Sequence, residues 1–411
     1  MDAGPWLPVP PGGYGGLENV VATLVTSLRQ LGVRVVLATV GESTLDCDER
    51  IHRFPRARFE AISQPYTRTV GIAHAHMSTV TEYLYRHPEV DLVHSHLEVV
   101  GPAVLACLGT AVPPALHTLH WDPQRQVEFY DTFDGGGRVL VNAVSASHLG
   151  RMPDNLRRQA VGAVHLATPA VPRFPPPPPD APFLVLGRIC PLKGQHVAVA
   201  ACRAIGATLV LAGPIGWSHG PVELAATAAA MAGTPDLAYW EQQVAPLVDG
   251  DQIRWIGTVC ERPGDNTKTR LLAGARAVLM PVQWEEPGAT VVIESLAAGT
   301  PVIAMRRGVL PELIEHGVTG FLADTEDEFA AYLTRVDELD RAACRAAAAT
   351  RFGPRRMAED YLRLYSVVLA SAAKVRRAHR MAGAGHSAST SSVSAADQLK
   401  SVLPCPAPPR G

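Results

Sequence analysis

Apolar residues Leu17, Val20, Val21, Leu24, Val25, Leu28 and Leu31 recur at three- and four-residue spacing. That spacing predicts an amphipathic helix, with Gly32 placed to end it. A short apolar run at 33–39 follows and reads as a strand. The same pairing repeats along the chain. Runs at 91–95, 115–119 and 139–144, then at 183–187, 208–212, 253–257, 277–281 and 301–305, are bounded by polar or turn residues with helical patterns between them. Continuous apolar strands alternating with helices predict an α/β protein with parallel sheets covered on both faces.

The chain has 411 residues, 47% of them hydrophobic, enough for two cores of ordinary size. Five consecutive prolines, Pro175 to Pro179, mark the junction. Such a run lacks amide donors and prefers an extended form, so it serves as a stiff spacer. The expected layout is a first domain at 1–170, a linker at 171–182 and a second domain at 183–355. A helix at 356–371 and a disordered tail at 372–411, rich in Ser, Ala, Gly and Pro, complete it.

Charge and cysteine content narrow the function. With 37 basic and 39 acidic residues the formal charge is -2, so no global field draws a nucleic acid and an anionic ligand must be met locally. Seven cysteines without a C-x-x-C pair argue against a disulfide framework, a zinc ribbon or a redox motif. No apolar run reaches the roughly 18–20 residues that span a bilayer, and Met1 is not followed by a basic and then an apolar region. A cytoplasmic chain fits, with peripheral attachment at the inner membrane face left open.

Three segments carry candidate chemistry. Gly12, Gly13, Gly15 and Gly16 open directly into the amphipathic helix. Bare backbone amides and a helix N-terminus can cradle a phosphate, although a tight turn explains the glycines equally well. Arg188 and Lys193 lie five positions apart in a strand-to-helix loop, where two cations can flank a diphosphate. Glu286 lies in a loop after an apolar strand, and Glu294 lies in a helix expected to start near Gly288. The pair can aim two carboxylates at one pocket, one of them at a ribose diol. Glu294 sits among Val291, Val292, Ile293 and Leu296, where a charge needs a partner or a task.

Taken in order, the glycine loop, the Arg188/Lys193 pair and the E-x7-E spacing from Glu286 to Glu294 resemble the retaining GT-B glycosyltransferases of family 4. Bacterial members of the avilamycin-cluster type share the opening Pro10-Pro11-Gly12-Gly13-Tyr14-Gly15-Gly16-Leu17-Glu18 and the run from Gly308 to Asp324. The resemblance covers roughly 5–370 and implies two Rossmann-like domains facing a central cleft. It implies that Arg188 and Lys193 neutralise the diphosphate of a nucleotide-sugar donor, that Glu294 binds the ribose and that Glu286 holds the transferred sugar. Gly12 and Gly13 would close on the diphosphate, and Gly288 and Ala289 would contact the donor. His120 would act at the reacting sugar. The implied activity is retaining transfer of a hexose-type sugar to a saccharide, lipid-linked or small-molecule hydroxyl, with no metal or other cofactor.

Several features depart from that pattern. Gly288-Ala289 stands where the family has Phe-Gly, a stretch at 217–236 looks inserted, and no strand is expected ahead of Pro5. His94 and His96 share a strand face and suggest a metal, but no third ligand follows at metal spacing. Asp46-Cys47-Asp48 and Asp249-Gly250-Asp251 lie in turn-like stretches. A GT-B epimerase or phosphorylase, and a degenerate nucleotide-sugar-binding protein, share the same architecture.

Overall fold

A computed structural model describes residues 1–63, 66–259 and 266–386. Two parallel sheets form, each from the short apolar runs that alternate with helices. In the first half the strands are β1 (Val36–Thr39), β2 (Glu49–His52), β3 (Val93–Ser95), β4 (Ala115–Thr118), β5 (Val139–Ala143) and β6 (Ala160–Ala163). In the second they are β7 (Phe183–Leu186), β8 (Leu209–Ala212), β9 (Ile253–Trp255), β10 (Val278–Met280), β11 (Val302–Met305) and β12 (Gly320–Ala323). The second sheet runs β12-β11-β10-β7-β8-β9, the doubly wound order of a Rossmann domain, whose chain reverses direction between β7 and β10.

Once Met1–Ala3 are included the first sheet runs β2-β1-(1–3)-β3-β4-β5-β6, the same order with one further strand, β6, at its end. Asp2 makes parallel bridges to Ala38 of β1 and to Ser95 of β3. Its amide donates to His94 O at 2.8 Å, and its carbonyl accepts from His96 N at 2.9 Å. The buried Asp2 carboxylate takes bonds from His76 Nε2 at 2.8 Å, Ser95 Oγ at 2.7 Å and Gly4 N at 3.0 Å. Where no strand was expected ahead of Pro5, three residues therefore stitch β1 to β3 and complete the point at which this sheet reverses.

The helix expected from the first apolar pattern is Gly16–Gln30, burying Val20, Val21, Leu24, Val25 and Leu28. The expected strands at 33–39, 253–257 and 277–281 are shorter, because Gly257 (φ 76°) and the prolines and turns leave the ladder early. Three strands were not anticipated. β2, β6 and β12 are four residues each, too short to show an alternation.

The last helix corrects another expectation. It spans Pro354–His386, so 372–386, expected in the tail, is helical, and 387–411 lies outside the described residues. This helix leaves the second domain and packs on the first. Tyr365 OH bonds His94 Nδ1 at 2.8 Å, Tyr361 OH lies 3.3 Å from Thr118 Oγ1, and Ser371 Oγ donates to Gly137 O at 2.9 Å. No helix among the described residues is long and apolar enough to cross a membrane.

Candidate functional site

The loops after β7 and β10 stand side by side because those strands are neighbours. The first carries Arg188 and Lys193. The second carries Trp284 and Glu286 and opens into the helix Thr290–Ala298. Glu286 is 7% exposed, and both loops invest in it. Lys193 Nζ donates to its Oε2 at 2.6 Å and Trp284 Nε1 to the same oxygen at 2.9 Å. A charge-assisted bond and an indole bond fix the carboxylate through Oε2, and among the described residues no hydrogen bond to Oε1 is found.

The loop is held from behind by a close backbone approach. Gly308 N donates to Glu285 Oε2 at 2.5 Å, and Val309 N donates to Glu286 O at 2.8 Å. A Cβ on Gly308, at φ 57°, would lie 2.2 Å from Glu286 O, so only glycine fits there. Ala289 is the opposite case. It caps the helix at φ 46° and ψ 57°, a left-handed conformation that costs a residue with a Cβ.

Arg188 reaches across to Asp236, with its Nη1 3.7 Å from the carboxylate. Asp236 comes from the stretch at 217–236 that looked inserted in sequence. That stretch folds into the helices Pro221–Thr227 and Pro235–Tyr239. Lys268 Nζ donates to Glu294 Oε1 at 2.6 Å, which answers why a glutamate lies among so many apolar neighbours. Neither partner was visible in the sequence, since each lies far along the chain from the residue it serves.

The first domain closes the site from the other side. His120 follows β4, and its Nε2 lies 2.8 Å from His96 Nδ1. Burial pushes its pKa down to about 3, with His117 and His148 adding to the effect. Burial likewise holds His94 and His96 well below the usual histidine range and takes His117 down to about 4. These imidazoles are therefore neutral near pH 7. His94 Nε2 lies 2.6 Å from Thr118 Oγ1, whose hydroxyl donates to Asn142 Oδ1 at 2.7 Å. The His94 and His96 rings, weighed as a metal pair in the sequence, are engaged in hydrogen bonds here, and among the described residues no group of three His, Cys, Asp or Glu side chains is arranged to hold a metal.

Two adjoining lobes form the cleft. The front lobe, about 240 Å³, is lined by Tyr14, His120, Trp121, Arg188, Lys193 and Glu286, with Gly288 and Ala289 on its wall. The rear lobe, about 550 Å³, is lined by Asn19, Thr23, Asn266, Lys268 and Glu294 among others. Val20 and Thr290 line both. The front lobe thus brings together Arg188, Lys193, Glu286, Gly288, Ala289 and His120, and Glu294 lies in the rear one. Gly12 and Gly13 are not among the lining residues of either; Tyr14 and Gly16 represent the glycine loop there instead. Trp121, Trp284, Lys268 and Asp236 line or support the cleft without having been singled out by the sequence patterns above. Only Trp284 carried a signal, its place two residues before Glu286.

Bonds between the halves run beside the front lobe. Ser145 Oγ donates to Pro287 O at 2.8 Å, next to Glu286. Glu312 of the second half accepts from Ala146 N at 2.9 Å, Ser147 N at 2.6 Å and His165 Nε2 at 2.7 Å. Burial pushes the Glu312 carboxyl up, but the His165 bond and the two amides outweigh it and hold the group below the usual carboxylate range.

Comparison with known proteins bears on what this cleft does. Residues 172–351 match the family model described as glycosyl transferases group 1, and residues 14–152 match that of glycosyltransferase family 4. The chain is 28% identical over 394 residues to a D-inositol 3-phosphate glycosyltransferase of Pseudarthrobacter chlorophenolicus, covering 82% of this chain and 87% of that one. It is 27% identical over 193 residues to spore coat protein SA of Bacillus subtilis, which covers 44% of this chain and 48% of the relative. Among solved structures it superposes on AviGT4, a glycosyltransferase of avilamycin A biosynthesis, with a TM-score of 0.59 at 24% identity, covering 90% of this chain and 97% of that one. It also superposes on Anabaena HepE in complex with UDP-glucose, with a TM-score of 0.57 at 20% identity, covering 86% and 97%.

Proposed function

We propose, for a chain that belongs to the GT-B glycosyltransferases of family 4, that its cleft transfers a hexose-type sugar with retention of configuration onto an acceptor hydroxyl presented from the first domain. That the chain is a glycosyltransferase using a nucleotide-sugar donor follows from its family. The finer reading rests on one observation, the fixed Lys193–Glu286–Trp284 cluster facing neutral His120 across the front lobe.

The donor diphosphate lies between Arg188, Lys193 and the N-terminus of the helix Thr290–Ala298, where cations and free amides meet the charge that grows as it leaves. Glu286 Oε1 accepts from hydroxyls of the transferred sugar. Glu294 accepts from the ribose diol in the rear lobe, with Lys268 holding its other oxygen. The bond from the anomeric carbon to the β-phosphate oxygen breaks, its electron pair passing to the diphosphate. The acceptor oxygen bonds to the same carbon on the same face, and its proton moves to the departing phosphate oxygen. His120 is uncharged near pH 7 and serves as a hydrogen-bonding group that positions the reacting sugar and the acceptor.

A thermal-shift panel of UDP, GDP, ADP and TDP with their hexose conjugates tests this reading. Selective stabilisation by one nucleotide is expected, followed by product with the donor's anomeric configuration by NMR. A well-folded protein stabilised by none of them, or an inverted product, defeats it.

A further inference from the structure

Arg125 lies in the stretch that follows β4 and His120, exposed beside two indoles of the front lobe. Its guanidinium carbon is 6.0 Å from the ring centroid of Trp121 and 5.7 Å from that of Trp284. One indole belongs to each half of the chain, and both line the front lobe. The neighbouring acid does not neutralise Arg125, because Asp122 is engaged by Arg151 through bonds at 3.2 and 2.6 Å. Among the described residues no carboxylate forms an ion pair with Arg125. The other cations of the front lobe are committed, Lys193 to Glu286 at 2.6 Å and Arg188 to Asp236 at 3.7 Å.

Arg53, Arg56 and Arg58 are exposed in the segment after β2. Phe59 of that segment places its ring 5.8 Å from Tyr14, which lines the front lobe. Through the Phe59–Tyr14 contact this arginine-bearing segment adjoins the residues that line the lobe. A guanidinium held at cation–π distance from an indole and without an ion pair keeps its N–H donors for another partner, and their fork matches two oxygens of a phosphate.

We propose that Arg125 binds a phosphate carried by the acceptor, so that the substrate is a phosphate ester whose hydroxyl receives the sugar. The proposal rests on the donor-site reading above, in which Arg188 and Lys193 answer the donor diphosphate and leave Arg125 for a second anion.

The test uses the full chain saturated with whichever of UDP, GDP, ADP or TDP binds it best, with inorganic phosphate as the probe at constant ionic strength. Tryptophan fluorescence reports directly, because the cation lies over Trp121 and Trp284. The wild-type protein should give a saturable response that weakens by about tenfold or more in Arg125→Ala and is partly kept in Arg125→Lys, with nucleotide affinity in both variants within about twofold of wild type. Absence of a saturable response in the wild type, or an equal response in Arg125→Ala, overturns the proposal. So does a comparable loss of nucleotide affinity in Arg125→Ala, which assigns the cation to the donor. Failure of every nucleotide to bind defeats the donor site itself, whereas nucleotide binding without a phosphate response defeats only this inference.

Discussion

The loops at the reversal point of the second sheet carry charge held in pairs, Lys193 with Glu286 and, farther along the cleft, Lys268 with Glu294. At the strand ends of the first sheet stand glycines and buried neutral imidazoles, His94 within β3, His96 just after it and His120 after β4. The two sheets share a strand order, so the difference lies in the loops. It teaches that one strand order can set paired charges on one wall of a cleft and uncharged hydrogen-bonding groups on the other, the loops alone deciding which.

The division is broken most severely by removing the fixed carboxylate. Glu286→Ala frees Lys193 and Trp284 and should lower kcat by about a hundredfold or more, with nucleotide affinity by calorimetry much less affected. Glu294→Ala should act in the opposite way, weakening nucleoside-diphosphate binding by about tenfold, because the ribose loses its acceptor. Unchanged affinity would remove Glu294 from the donor site. His120→Ala belongs to the neutral side and should reduce turnover by about tenfold while leaving the nucleotide dissociation constant within error; a wild-type rate would retire its role.

Three smaller effects concern stability. Burial takes the Glu98 pKa up to about 7, against a small opposing effect of its bond from Tyr130, and Glu98 Oε2 has no hydrogen-bond partner. A carboxyl raised in the folded state retains its proton there, so the penalty for ionising it is absent below about 4.5 and complete above about 7. Glu98→Gln should therefore gain stability relative to wild type between pH 5 and pH 8, by on the order of 2 kcal/mol in chemical denaturation. The histidines run the other way. With pKa values of about 4 for His117 and about 3 for His120, below the ordinary histidine value, they cost stability as pH falls through 6.5 and the unfolded chain takes up protons. The smallest effect is Ala289→Gly, which should stabilise the protein by about 1 kcal/mol by relieving the left-handed alanine. A lower melting temperature would show that the Cβ of Ala289 makes contacts worth more than its strain.

The architecture was largely legible because buried parallel strands print as short continuous apolar runs, and the helix Gly16–Gln30 prints as a clean stripe. The positions of Arg188, Lys193, Glu286 and Glu294 were legible too, since each stands beside a strand end or a helix start that the pattern fixes. Their partners were not. Lys268 and Asp236 sit in polar stretches where a charge reads as solvated surface, and only the packing of one loop on another pairs them. Asp2 is the same case in the first half. A lone acid beside Met1 has no periodicity to mark it, yet it joins two strands and accepts from His76 and Ser95.

The chain crosses between its halves twice, once at the proline run and once where the helix Pro354–His386 returns to rest on His94, Thr118 and Gly137. A single tether would let one half swivel freely against the other. Two crossings act like the paired straps of a box lid. They limit the ways the halves can part, and the bonds of Ser145 to Pro287 and of Glu312 to the Ala146–Ser147 amides fasten the side between the straps.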